Sequence, residues 1–165
     1  MRLRTLLLTA LLTLTAACGT SEPAATESAS GSAGQVSVTD GAGKTMTRDQ
    51  RATRVVTLEW GQTEDVVTLG VQPVGVADPK GYASWVTSAP LTGDPVDVGL
   101  RTEPSVESIA KADPDVIIGI TESIPESALA QIEKIAPVVL LKGADATRPL
   151  DLMRENFTTI ATLLG

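Results

Sequence analysis

The 165-residue sequence contains no histidine. That removes the commonest general base, the usual serine and cysteine hydrolase pairings, and every zinc or manganese site built on imidazole. Cys18 is the single cysteine, which excludes an intrachain disulfide and a CxxC site. The aromatics are Trp60, Tyr82, Trp85 and Phe157, too few for stacking recognition of exposed bases. Basic clusters are scarce as well: the formal net charge is −7, and only Arg2 and Arg4 lie close together. A phosphate backbone is gripped by clustered Lys and Arg, so nucleic acid is excluded as a partner. What remains is 42% hydrophobic and 20% charged, the composition of a chain that folds, at a length suited to one domain.

Residues 1–17 have the layout of a secretory signal. Arg2 and Arg4 form a short basic region, Leu6 to Ala16 is apolar apart from Thr, and small residues lead into Cys18. The apolar run, about 11 residues, is too short to span a bilayer as a mature helix. Arg-Leu-Arg is not a twin-arginine pair, which points to general secretion. Leu14-Thr15-Ala16-Ala17-Cys18 resembles a bacterial lipobox, with Thr15 at the usual Leu place and Leu14 one further out. The resemblance implies that Cys18 becomes the first mature residue and carries the lipid anchor, palmitate included, on the outer face of the cytoplasmic membrane. Several acyl chains hold far better than one, at about 0.8 kcal/mol per buried methylene. Residues 18–34 are rich in Ser, Ala, Gly, Thr and Glu and lack large apolar side chains, so they read as a flexible tether.

From Gln35 the sequence reads as folded. Two alternating segments around Asp40-Gly-Ala-Gly43 predict a β-hairpin. Gly43-Lys44-Thr45 imitates the end of a phosphate-binding loop. Val38, however, stands where that loop needs glycine, and a polar strand follows instead of a helix. Buried strands are predicted at 54–58, 71–77, 96–98, 115–120 and 138–141. Helices are predicted at 63–69, with Glu64 and Asp65 in the first turn, at 104–112 with Pro104 at its start, at 125–136 and at 150–164. The last helix is predicted to bury Leu150, Met153, Phe157, Ile160, Ala161 and Leu164. Strands alternating with helices mean an α/β fold with a mostly parallel sheet.

Ligands of such sheets bind beyond the carboxyl ends of the strands. Those loops hold Glu59 to Gln62, Asp78 to Trp85, Gly99 to Thr102, and Thr121 with Glu122. Trp60 and Trp85 there serve either ligand contact or packing. Arg101 is either a solvated loop charge or a grip for a carboxylate or other anion.

The hairpin, the stretch RVVTLEWGQTEDVVTLGVQPVGVAD and the block VGLRTEPSVESIAKADPDVIIG together resemble the amino-terminal lobe of the iron-siderophore solute-binding proteins of ABC importers. That group is similar to the binders of ferric citrate, ferric hydroxamate and cobalamin. The resemblance covers residues 35–165 and implies two α/β lobes joined by a long helix, with the ligand between them. On this reading the chain holds the first lobe and not the second, as a fragment or a truncated gene. Alone it is expected to bind its ligand poorly, because binding sites bury about 70–90% of a ligand's surface.

The resemblance further implies that Trp60 and Arg101, with Tyr82 and Trp85, face the ligand. Glu107 is then an acidic residue that docks on the permease. It implies a monomer that captures a ferric siderophore and delivers it to ABC permease subunits, with no catalytic residue. No cofactor is implied either, since iron arrives already saturated by its chelator. Arg101 points to an anionic chelate of the citrate or carboxylate type. Two other readings are a cobalamin or haem binder on the same scaffold and a surface interaction module without transport activity. An enzyme finds no support, since no serine elbow, histidine or metal cluster is present.

Overall fold

The computed structural model describes residues 34–165. The signal, Cys18 and nearly all of the tether lie outside the described residues. Gln35 leads into an antiparallel hairpin, β1 (Val36–Thr39) with β2 (Thr45–Arg48). Its turn is tied by Asp40, whose Oδ1 accepts from the backbone N–H of Ala42 and of Lys44. The chain then runs β3 (Val55–Thr57), α1 (Trp60–Thr68), β4 (Gly75–Val76), α2 (Pro79–Trp85) and β5 (Val96–Asp97). A small hairpin follows, β6 (Gly99–Leu100) with β7 (Glu103–Pro104). After it come α3 (Val106–Ala112), β8 (Val116–Ile120), α4 (Glu126–Ile132), β9 (Val138–Leu141) and α5 (Pro149–Leu164).

The main sheet has the order β5-β4-β3-β8-β9, and every pairing in it is parallel. Its strands are short β-branched runs because both faces are covered, which leaves no polar side to alternate with. Val55, Val116, Ile118, Val139 and Leu141 point to one face, where they meet Val66 of α1, Ile160 and Leu163 of α5, and Val36 and Val38 of the hairpin. Val56, Leu58, Ile117 and Val138 point to the other, against Ile109 and Ala112 of α3 and Ile132 of α4. From β3 the chain winds outward through β4 to β5, then returns to β8 on the other side of β3. That reversal places the topological switch point at the carboxyl ends of β3 and β8.

Five expectations about the elements need correction. First, α1 starts at Trp60, so Glu64 and Asp65 lie beyond its first turn and do not complement the dipole there. Second, the helix expected from Pro104 begins at Val106. Pro104 is a strand residue paired with Gly99, and the Ser105 N–H donates to Val98 O at 2.7 Å, which delays the helix until Ser105 caps it. Third, residues 79–85, read as loop, form α2 behind a left-handed Asp78.

Fourth, α5 is rolled differently about its axis. It buries Leu152, Ile160 and Leu163, while Leu150 and Met153 are exposed. The helix carries two apolar stripes, and the sheet takes the one spaced at i, i+8 and i+11. The strand expected at 71–77 is also pared to Gly75–Val76, although its ladder runs from Val74 N–H (to Val55 O, 2.9 Å) to Ala77 N–H (to Thr57 O, 3.0 Å).

Candidate functional site

At the carboxyl end of β3 the chain passes from Leu58 into Glu59 and then into α1. Glu59 is extended and occupies the N-cap position, but its side chain caps nothing. The carboxylate instead reaches across to the β6–β7 hairpin, where its Oε2 accepts from Arg101 Nη1 at 2.9 Å. Glu59 is 8% exposed, so this carboxylate sits largely out of water and needs its cation. Thr63 supports the same turn, its hydroxyl donating to Glu59 O at 2.8 Å and lying 2.7 Å from the Thr57 hydroxyl in the core.

Trp60 is the next residue. Its indole N–H donates to Ala77 O at the end of β4, at 3.1 Å. The Arg101 guanidinium lies over its ring, 4.6 Å from the centroid, within the range of a cation–π contact. Arg101 therefore has one face on an indole and one edge on a carboxylate. Its side chain remains partly exposed, leaving the rest of the guanidinium open to solvent. Arg101 and Thr102 form the turn of a two-residue hairpin, which lifts the arginine above the strand ends. Gly99 makes this hairpin possible: its φ is +90°, and a Cβ there would lie 2.8 Å from Glu103 O.

The floor under Trp60 is the start of α2. Asp78 adopts a left-handed conformation (φ 47°), its N–H donates to Gly99 O at 2.8 Å, and its Oδ1 accepts from Gly81 N–H at 3.0 Å. Gly81 then passes so close to the indole that a Cβ would lie 2.6 Å from Trp60 Cζ2. Glu59, Asp78 and Gly81 thus belong to the site although none was singled out from the sequence. What marked them in the sequence was their place in the loops after the first and second buried strands.

The structure brings Trp60 and Arg101 into contact. Tyr82 is a correction, since it is fully buried within this single lobe and donates its hydroxyl to Ala89 O at 2.6 Å. With its polar handle satisfied internally it is a packing residue. Trp85 closes α2, one turn after Gly81 and on the same side of that helix, and is 79% exposed. Glu107 is exposed in the first turn of α3.

Beside this site lies a groove of about 470 Å³ lined by Gly61, Gln62 and Asp65 of α1, Gly143 after β9, and Met153 and Phe157 of α5. Asp65 is pushed up to about 6, first by burial and then by the neighbouring Glu64 charge. Across the same strand ends, Glu122 accepts from Gly143 N–H at 3.1 Å. Hydrogen bonding, led by the Thr121 side chain, holds its carboxyl below the usual value. Among the described residues no helix is long and apolar enough to cross a membrane.

The sequence matches the family described as periplasmic binding protein over residues 55–165. It is 36% identical over 112 residues to the iron(3+)-hydroxamate-binding protein FhuD of Escherichia coli (strain K12), covering 68% of this chain and 37% of that protein. It is 38% identical over 112 residues to the Fe(3+)-citrate-binding protein YfmC of Bacillus subtilis (strain 168), covering 68% and 35%. Among solved structures it is similar to the siderophore-binding protein FhuD from Vibrio cholerae with Fe3+–Desferal bound. The TM-score there is 0.61 and the identity 38%, over 67% of this chain and 41% of that one. The chain spans well under half the length of these relatives. They are binding proteins rather than enzymes. The structural similarity, the share of each relative covered and the matched residues agree with one lobe of their fold: the chain belongs to the periplasmic binding protein family.

Proposed function

We propose that this lobe belongs to the extracytoplasmic solute-binding component of an ABC importer, which captures a ferric siderophore and delivers it to the membrane permease. The observation that carries the reading is the Trp60–Arg101 pair at the carboxyl ends of the strands, where an open α/β sheet takes its ligands. An indole and an oriented guanidinium suit the oxygen-rich organic shell of an iron chelate, and the relatives named above bind such chelates. Trp85, exposed one turn beyond Gly81, adds an aromatic surface. Iron is cargo inside its chelator, so the lobe acts as a binder with no resident cofactor and catalyses nothing.

Glu107, solvated at the start of α3, is the docking residue for a basic patch on the permease. Cys18 carries the lipid that keeps the monomeric protein at the outer face of the membrane. Cys18→Ser is expected to release the protein into the soluble fraction; a variant that stays with membranes and still labels with fatty acid overturns the anchor.

The binding reading is tested by titrating the full chain with a panel of ferric siderophores and following tryptophan fluorescence. Weak but saturable quenching is expected, since a lone lobe leaves much of its ligand in water, and Arg101→Ala should weaken it further by about 1.5–3 kcal/mol, the value of a hydrogen bond to a charged group. That is roughly ten- to a hundredfold in Kd. No quenching across the panel, or an unchanged Kd in a folded Arg101→Ala protein, overturns it.

A further inference from the structure

The carboxylate behind Arg101 has a consequence for which chelates the site accepts. Glu59 is nearly buried, and Arg101 is its only ion-pair partner among the described residues. The pair is fixed on three sides: Nη1 on the carboxylate at 2.9 Å, the guanidinium plane on Trp60, and Trp60 itself held by Ala77 O at 3.1 Å. The arginine is thus presented rigidly, with its outer edge toward solvent. Its charge, however, is already balanced by an anion a few ångströms behind it.

A ligand oxygen meeting that outer edge feels the attraction of the guanidinium and, only slightly farther away, the repulsion of Glu59. Hydrogen bonding to the edge survives this cancellation, because it depends on local N–H dipoles. Long-range attraction for net negative charge does not survive it. The nearest other cations, Lys80 beside Asp78 and Lys142 beside Glu122, are offset by carboxylates of the same loops. Asp78 and Glu103 flank the same loops, and Glu122 lies at the neighbouring strand ends.

We infer that Glu59 is a positioning residue that both aims Arg101 and sets the charge selectivity of the site, favouring neutral oxygen-donor chelates over polyanionic ones. This rests on the siderophore reading above. It replaces the expectation, drawn from Arg101 alone, of an anionic citrate-type ligand.

The experiment uses the full isotope-labelled chain and nuclear magnetic resonance, which reads weak binding. Two diamagnetic probes serve: neutral gallium(III) tris(acetohydroxamate) and polyanionic gallium(III) dicitrate. Glu59→Gln keeps the volume and an oxygen acceptor but removes the charge, whereas Glu59→Ala removes both. Without ligand, the Arg101 Nε–H resonance should keep its ring-current shift in Glu59→Gln and lose it in Glu59→Ala.

With ligand, the wild type should favour the neutral complex. Glu59→Gln should move the ratio of the two Kd values toward dicitrate by about tenfold or more, and Glu59→Ala should weaken the neutral complex. An unchanged ratio in Glu59→Gln, or a wild type that prefers dicitrate, overturns the selectivity role. An Arg101 resonance unmoved in Glu59→Ala overturns the positioning role. If neither complex perturbs the wild type, the siderophore reading fails and the selectivity role with it, while the ligand-free spectra still decide the positioning role.

Discussion

Replacing Gly81 by Ala is a sharp test of how the site is assembled. On propensity alone the change should help, since Ala in a helix is favoured over Gly by about 1 kcal/mol. Gly81, however, stands between two groups that cannot both yield. The added methyl would lie 2.6 Å from Trp60 Cζ2 and would also collide with the Asp78 carboxylate. Trp60 is pinned from behind by its bond to Ala77 O and covered in front by Arg101. Asp78 is held in a left-handed conformation and caps α2 through the Gly81 N–H itself.

Relief therefore requires giving up the cap, worth about 1 kcal/mol, or moving the indole, an overpacking cost of about 1–3 kcal/mol. Set against the propensity gain, the net is a destabilisation of up to about 2 kcal/mol, the upper end applying where the indole is what moves. Urea denaturation followed by far-ultraviolet circular dichroism measures it, and the near-ultraviolet tryptophan bands report whether the indole has moved. A Gly81→Ala protein as stable as the wild type, with those bands unchanged, would refute the claim that Gly81 is the floor of the site.

Asp65 predicts a pH dependence of known sign. Its folded value of about 6 lies above the ordinary 3.8, so between these pH values the folded state binds more protons than the unfolded state. The stability this proton contributes is present below about pH 4 and is lost as pH rises through 6. Asp65→Asn should flatten that decline and stabilise the protein at pH 7 by about 1–2 kcal/mol, after discounting for the solvent that still reaches the group; an unchanged pH profile refutes it. Tyr82→Phe leaves Ala89 O without its buried donor and should cost about 1–3 kcal/mol in the same denaturation assay, with ligand affinity unaltered. Asp115 ties the Thr53 N–H and hydroxyl (2.8 and 2.9 Å) and Arg48 (3.6 Å) to the foot of β8. Asp115→Ala should cost about 2–3 kcal/mol and speed amide exchange in β1 and β2.

The sheet was readable because burial on both faces writes itself into composition. Val55-Val56, Val116-Ile117-Ile118 and Val138-Val139 are runs that only a covered strand tolerates. The helix starts were less readable wherever a distant partner captures the side chain that would mark them. Glu59 looks like an ordinary loop acid because its partner Arg101 is 42 residues away. Ser105 caps α3 only because its backbone is tied to Val98.

Tyr82 and Trp85 share one short segment and the same sequence-level case for ligand contact. A single hydrogen bond to Ala89 O sends the tyrosine inward, while the tryptophan stays in solvent. The roll of α5 was equally hidden. Leu150 and Met153 form as good a stripe as Leu152 and Leu163, and only the sheet's position chooses between them.

The pairing of β3 has a consequence for how such a chain behaves when it emerges from a narrow channel, amino end first. Val55 finds its β8 partner Val116 only after about sixty further residues have come through. The first hairpin waits longer still: Val36 and Val38 are sealed by Ile160 and Leu163, and the Ala52 N–H is taken up by Leu163 O at 2.9 Å. Contacts of such long sequence separation form slowly, because loop closure must precede any gain from them. A partly emerged chain therefore cannot close this core and stays threadable until α5 is out. The same architecture holds β1 in solvent throughout that interval, which makes the closing helix the step that ends exposure to proteases and to other copies of itself.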